Sequence, residues 1–294
     1  MKGTTLLVAA LLVLQVPCTE TARSAEQGGR RFSDEIARQE EIYKTDDESV
    51  LAGYVVDRSL RNYTRVLLPD FDPALAKLGP EDRWLDIGAG MGFAILDYYN
   101  PNYDLLHPEG SKRRGKKARA VAISIEDRRH FGWQVTAARL EANQIRYLSG
   151  KRLREYQLED LGQFQLITDV YGGLSYTRDL SLFMESVLRF LTLKGRFFTL
   201  LQDVRSENGS NAPFTPDSSF TTEISQLDRS EVRVCSWLKS ISCVEVTCEF
   251  RNWNPSVETY GIRKVCNDVT VPNLKLTLYE AGTPPARRFQ LLSR

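Results

Sequence analysis

Trp84-Leu85-Asp86-Ile87-Gly88-Ala89-Gly90-Met91-Gly92-Phe93 is the stretch on which the reading of this chain turns. Residues 83–87 read as a short buried strand, and the apolar run 93–99 reads as a helix. Between them lies a turn with glycine at alternate positions. Without a Cβ, such a turn can fold back sharply off the strand and let another group approach the backbone closely. A dinucleotide site calls for G-x-G-x-x-G at this place. Here the third glycine falls one residue early, and Phe93 stands where that pattern has its last glycine. The pattern is therefore G-x-G-x-G, preceded by an aspartate two positions upstream.

Working outward, strand and helix patterns alternate. Strands are expected at 120–125, 145–148, 164–171 and 196–201. Helices are expected at 128–143, 153–161 and 180–191. Packing candidates in the first of these helices are Phe131, Val135, Ala138, Leu140 and Ala142, and in the last Leu182, Phe183, Val187, Leu188 and Phe190. Repeated β-α units predict a parallel sheet with right-handed crossovers. A ligand crevice is expected at the carboxyl ends of its strands, beside the first one. Upstream, apolar residues recur at helical spacing over 49–67, and a second short helix is expected at 74–78 between Asp72-Pro73 and Gly79-Pro80. Downstream, 220–238 reads as a helix, and 244–251, 257–265 and 274–279 read as strands.

The glycine turn and its aspartate resemble motif I of the class I S-adenosylmethionine (AdoMet) methyltransferases, D/E-x-G-x-G-x-G, and the resemblance covers roughly residues 84–203. It implies an α/β fold with a Rossmann-like, mostly parallel seven-stranded sheet, antiparallel C-terminal strands and a helical N-terminal cap. It also implies AdoMet as the cofactor. On this resemblance Asp86 orders the turn and neighbours the ligand's ammonium, with capping of its own turn as the structural alternative. Gly88, Ala89, Gly90 and Gly92 offer backbone to the ligand. At the end of the second strand the family often has an acid for the ribose hydroxyls; this chain offers Ser124, Ile125 and Glu126, with either Ser124 or Glu126 making that contact. After the third strand, where an acid is common, stand Ser149-Gly150-Lys151-Arg152. In the fourth strand Gln165 replaces the usual early acid. Asp169 falls at the strand end, where it either serves the ligand side of the site or caps the Gly172-Gly173 turn. Asp169 and Tyr171 are the candidates for orienting the methyl acceptor.

The chain has 294 residues, 42% of them hydrophobic and 26% charged. That balance predicts a sizeable buried core. The boundaries read as a leader at 1–25, the helical cap at 26–80 and the AdoMet-binding domain at 81–294, with an extended β tail over about 244–294. A basic start, Met1-Lys2, is followed by a short apolar run at 4–16 and then Pro17-Cys18. This has the shape of a secretory signal peptide or membrane anchor, with cleavage after Cys18 or near Ala22 or Ala25. Export or a secretory-pathway location is expected, and a cytoplasmic-facing anchor is the other reading. Asn62-Tyr63-Thr64 and Asn208-Gly209-Ser210 match the glycosylation acceptor pattern. Four cysteines beyond the leader, Cys235, Cys243, Cys248 and Cys266, suggest two disulfides with three possible pairings. Buried free thiols are the alternative. Zinc finds no C-x-x-C spacing here, and the two histidines, His107 and His130, lie far upstream.

A formal net charge of +1 gives no global reason to expect nucleic acid as a partner. One basic segment stands out, Ser111-Lys112-Arg113-Arg114-Gly115-Lys116-Lys117. It reads as a solvated loop, or as a contact for an acidic substrate or an anionic membrane surface. The expected activity is methyl transfer to a small-molecule or lipid-like acceptor, with no metal. A binding protein that keeps the fold without turnover is the first rival. A nicotinamide-dependent oxidoreductase is the second, and the glycine spacing opposes it.

Overall fold

The computed structural model describes residues 58–111, 118–125, 127–201, 221–251, 254–280 and 286–292. The leader, the charged arm, most of the basic segment and Asn208 therefore lie outside the described residues.

The central sheet has seven strands: β1 (Arg83–Ile87), β2 (Arg119–Ser124), β3 (Ile145–Ser149), β4 (Phe164–Asp169), β5 (Leu191–Leu201), β8 (Val244–Arg251) and β9 (Asn254–Lys264). Their order is β3-β2-β1-β4-β5-β9-β8. The first five run parallel, and β9 and β8 pair antiparallel at one edge. The expected sheet, including its reversed end, is present. The strands β1 and β4 are buried over nearly their whole length, as strands covered on both faces must be.

One face is covered by α1 (Leu60–Val66), α2 (Phe71–Ala76), α3 (Phe93–Tyr99), α4 (Tyr103–Leu106) and α5 (Gly132–Ala137). Their apolar side chains, among them Leu60, Tyr63, Phe71, Ile95 and Trp133, form one core cluster with Trp84 and Phe198. The other face carries α6 (Leu158–Leu161), α7 (Gly173–Tyr176), α8 (Leu180–Phe190) and α9 (Val234–Lys239), packed around Ile87, Ile167 and Phe197. In α8, Phe183, Val187, Leu188 and Phe190 are buried as expected, while Leu182 is 39% exposed.

Several expected helices are shorter or different. The helix read over 128–143 is only Gly132–Ala137. Residues before it bend onto the glycine turn instead: His130 N donates to Met91 O at 3.1 Å, and Asp127 holds the Arg129 side chain. Phe131 and Val135 consequently face solvent, 82% and 50% exposed. The stretch 153–161 splits into a 3-10 turn (Leu153–Glu155) and α6, because Glu155 accepts from Arg152 N and Asp160 from Gln157 N, which starts each piece afresh. The helix α2 begins at Phe71, ahead of Pro73, since a proline in the first turn forfeits no intrahelical hydrogen bond.

The largest departure is at 220–238. Only Val234–Lys239 is helical. Thr221–Ser225 is a strand, β6, in which Thr222 and Ile224 alternate inward, and a turn closed by Gln226 N to Ser230 O leads to β7 (Glu231–Val232). With β10 (Leu274–Glu280) and β11 (Ala286–Leu291) these form a second sheet, ordered β10-β11-β6-β7. The sequence reading placed strands in the tail but foresaw no second sheet.

The cysteines pair as Cys235–Cys248, tying α9 to β8, and Cys243–Cys266, joining the two ends of the β8–β9 hairpin. Their Cα separations are 6.1 and 4.9 Å, within the range that a disulfide spans. The pairing leaves these four neither zinc ligands nor free thiols. Among the described residues no helix is long and apolar enough to cross a membrane.

Candidate ligand site at the glycine turn

The chain leaves β1 for β2 on one side, and only later fills β4 on the other. The crevice between the carboxyl ends of β1 and β4 is thus the point at which strand order reverses, the place where open α/β sheets hold ligands. The glycine turn lies there. Gly88, Gly90 and Gly92 have φ of 69°, 55° and 80°, in the left-handed region. Gly88 N and Ala89 N both donate to Ile123 O, at 2.9 and 3.2 Å, which locks the turn to the end of β2.

Two close approaches explain the glycines. A Cβ on Gly88 would lie 2.6 Å from Gly172 Cα, so the turns after β1 and β4 meet backbone to backbone. A Cβ on Gly92 would lie 2.6 Å from the Trp133 ring. Tyr147 Oη donates to Gly90 O at 2.6 Å and stacks edge-on against Trp133, with ring centroids 5.4 Å apart. An aromatic pair from α5 and β3 therefore braces the turn.

Asp86 is fully buried. Tyr63 Oη donates to its two carboxylate oxygens at 3.0 and 3.1 Å, and Thr168 Oγ1 donates to Oδ1 at 2.7 Å. Trp84 Nε1 in turn donates to Thr168 Oγ1 at 2.8 Å. The carboxyl of Asp86 is pushed up to about 7 by burial, against the lowering effect of these hydrogen bonds. Burial likewise holds the Tyr63 phenol well above its ordinary range, with the Asp86 charge adding to it. Asp86 thus underlies the turn as part of a closed network, and it does not cap the turn.

Asp169, paired in register with Ile87, is also fully buried. Its Oδ2 accepts Leu174 N at 2.7 Å, so it caps the turn through Gly172-Gly173. Burial raises it to about 7 as well. Tyr171 adopts a left-handed φ of 54°, and the Arg58 guanidinium lies 3.7 Å from its ring centroid. Ser124 and Ile125 sit half-buried at the end of β2, where Ser124 meets the Tyr147 hydroxyl. Glu126 lies outside the described residues. Gln165 is at the far end of β4, where its Oε1 accepts Arg83 N at 2.8 Å, and it takes no part in the crevice. Ser149 and Lys151 are exposed.

The structure thus brings together Asp86, Gly88, Ala89, Gly90, Gly92, Ser124, Ile125, Asp169 and Tyr171. It adds Tyr63, Trp133, Tyr147, Thr168 and Gly172. Thr168 could have been found from parallel pairing, since it stands opposite Asp86. Tyr63 and Trp133 carry no local signal, because each is one apolar residue on a helix.

The strand order, the reversed edge pair and the G-x-G-x-G turn at the reversal point define a Rossmann-like fold, mostly parallel with an antiparallel edge. No family model matches the sequence. No curated protein matches it either. Among solved structures, the chain is similar to the N-methyltransferase NodS from Bradyrhizobium japonicum in complex with S-adenosylhomocysteine, at TM-score 0.39 and 12% identity over 78% of this chain and 96% of that one. It is similar to the YcgJ protein from Bacillus subtilis, at TM-score 0.40 and 13% identity over 65% and 95%. It is also similar to geranyl diphosphate C-methyltransferase from Streptomyces coelicolor in complex with Mg2+, geranyl diphosphate and S-adenosylhomocysteine, at TM-score 0.31 and 19% identity over 44% of this chain and 42% of that one. The chain spans less than half the length of that last enzyme.

Proposed function

We propose that this chain is an AdoMet-dependent methyltransferase acting on a small-molecule or lipid-like acceptor. The observation that carries this reading is the left-handed glycine turn at the β1–β4 reversal point, with Gly88 against Gly172 and no space for side chains. A cradle built of bare backbone suits a ligand that needs close approach, and two carboxylates beside it suit one that carries positive charge. Gly88, Ala89, Gly90 and Gly92 would hold AdoMet through backbone groups. Ser124, Ile125 and Glu126 would hold its ribose side. Asp86 contributes charge from beneath the turn, and Asp169 shapes the wall opposite. When bound, AdoMet would supply a methyl group on a positively charged sulfur whose leaving form is neutral. The protein's task is then alignment of the acceptor and, for a hydroxyl acceptor, removal of its proton. Tyr171, half-buried at the end of β4, is the candidate for orienting it.

A second reading is a ligand-binding protein of the same fold without turnover. The closed network around Asp86 favours it, because Tyr63 and Thr168 already occupy the carboxylate that would face a ligand ammonium. Incubation with methyl-labelled AdoMet and a panel of small-molecule and lipid acceptors separates the two. Label transfer supports the enzyme; ligand binding with no transfer across the panel supports the second reading.

The apolar leader and the paired cysteines together support export through the secretory pathway or anchoring by the N-terminus. Mass spectrometry of the native N-terminus tests this. A chain starting near residue 19–26, with four oxidised cysteines, is expected. An intact Met1 with four free thiols would reverse the assignment.

A further inference from the structure

The second sheet grips the turn after β4 through two side chains, Arg287 and Tyr279. Arg287, on β11, is fully buried. Its Nε donates to Thr222 Oγ1 at 2.8 Å, Nη1 to Thr177 O at 2.8 Å and Nη2 to Leu174 O at 2.7 Å. All three acceptors are neutral. A buried guanidinium is costly unless it is hydrogen-bonded and offset by an opposite charge. The carboxylate that acts on it is Asp169, at the end of β4. Leu174 joins the two, because its N–H donates to Asp169 Oδ2 at 2.7 Å while its C=O accepts from Arg287. A second contact grips the same turn: Tyr279, on β10, donates its hydroxyl to Tyr176 O at 3.0 Å. The turn so held, residues 172–177, is the one that presses Gly172 against Gly88.

We propose that Arg287 is a positioning residue for the ligand crevice: from the second sheet it holds the turn 172–177, and through Leu174 and Asp169 it fixes the wall facing the glycine turn. This rests on the reading of that crevice as the ligand site. The β6–β7 and β10–β11 segments thereby become part of the site's construction, although they lie outside the seven-stranded core. Arginine suits the position, since its planar fork serves three separated acceptors at once and lysine's single ammonium cannot.

The test is hydrogen exchange read by mass spectrometry over residues 170–178, together with calorimetric titration of S-adenosylhomocysteine, on the full chain and on Arg287→Lys, Thr222→Val, Tyr279→Phe and, as a control, Arg288→Ala. Arg288 sits next to Arg287 but pairs with Glu223 at the surface. Arg287→Lys is expected to speed exchange in 170–178 about tenfold, to weaken binding by a similar factor, and to leave exchange in β1 and β5 unchanged. Thr222→Val and Tyr279→Phe are expected to move both readouts the same way by less, and Arg288→Ala to move neither. Should the lysine variant fail to fold, the two milder variants decide. Unchanged exchange in 170–178 in folded variants would overturn the proposal, as would an increase spread evenly over the chain. A native protein that binds no S-adenosylhomocysteine would remove the functional reading, while the exchange data would still show whether Arg287 holds the turn.

Discussion

Asp86 and Asp169 stand on adjacent strands, and burial raises both carboxyls, with the Asp169 charge adding to the rise at Asp86. Both carboxyls would ionise near pH 4 in the unfolded chain but only near 7 in the fold. Between those values the folded state binds more protons than the unfolded one, so this contribution to stability is intact below about pH 4 and is lost as pH rises towards 7. The shift corresponds to at most about 4 kcal/mol per carboxyl. Asp86→Asn should therefore flatten the fall of Tm between pH 4.5 and 7.5 relative to the native chain. Equal slopes in thermal melts of the two proteins would contradict a raised Asp86. At the same scale, Gly92→Ala forces a side chain into a left-handed position and against Trp133. A loss of about 2–4 kcal/mol in urea titrations is expected, part of it recovered by adding Trp133→Leu. The residues of the turn were legible because glycine spacing states a backbone requirement directly. The network beneath it was not: Tyr63 belongs to a helix 23 positions upstream of Asp86, and nothing in its helical spacing says that its hydroxyl meets a carboxylate.

Among the elements, the strands were read best. Residues 244–251 came out as expected for β8, and β1 likewise, because runs of buried or alternating apolar residues leave little choice. Helices around the site were over-extended. The stretch 128–131 has the composition of a helix, yet its polar groups are spent on the glycine turn and on Asp127. The 220–238 stretch was misread for a different reason: Thr221-Thr222-Glu223-Ile224-Ser225 is short and polar, and a strand this short shows its period of two only once a partner strand is known. The disulfides make an element-scale prediction. Cys235 and Cys248 are 13 residues apart, and their bond ties α9 to the edge strand β8. Replacing both by serine should cost about 3 kcal/mol, read as a lower denaturation midpoint. Reductant added to the native chain opens Cys243–Cys266 as well, so it should lower the midpoint by at least as much, and an unchanged midpoint would mean that the bonds do not form in solution.

For the whole molecule, a parallel sheet with a crevice at the carboxyl end of its first strand follows from β-α alternation and the glycine turn, whereas the order of the strands is set only in the folded chain. The second sheet does not follow from them, since it is assembled from a segment before the last two core strands and two segments after them. Such pairing between segments distant in sequence leaves no local trace. Its link to the crevice through Arg287 is accordingly a property of the folded chain, visible only when β11 and the turn after β4 are seen together. The account's central claim is that this crevice holds a sulfonium nucleoside. Isothermal titration of the folded full chain with S-adenosylhomocysteine and, separately, with NAD tests it most directly. Saturable binding of S-adenosylhomocysteine with a one-to-one stoichiometry, and none of NAD, is the result predicted. No binding of S-adenosylhomocysteine, or binding of NAD in its place, would contradict it.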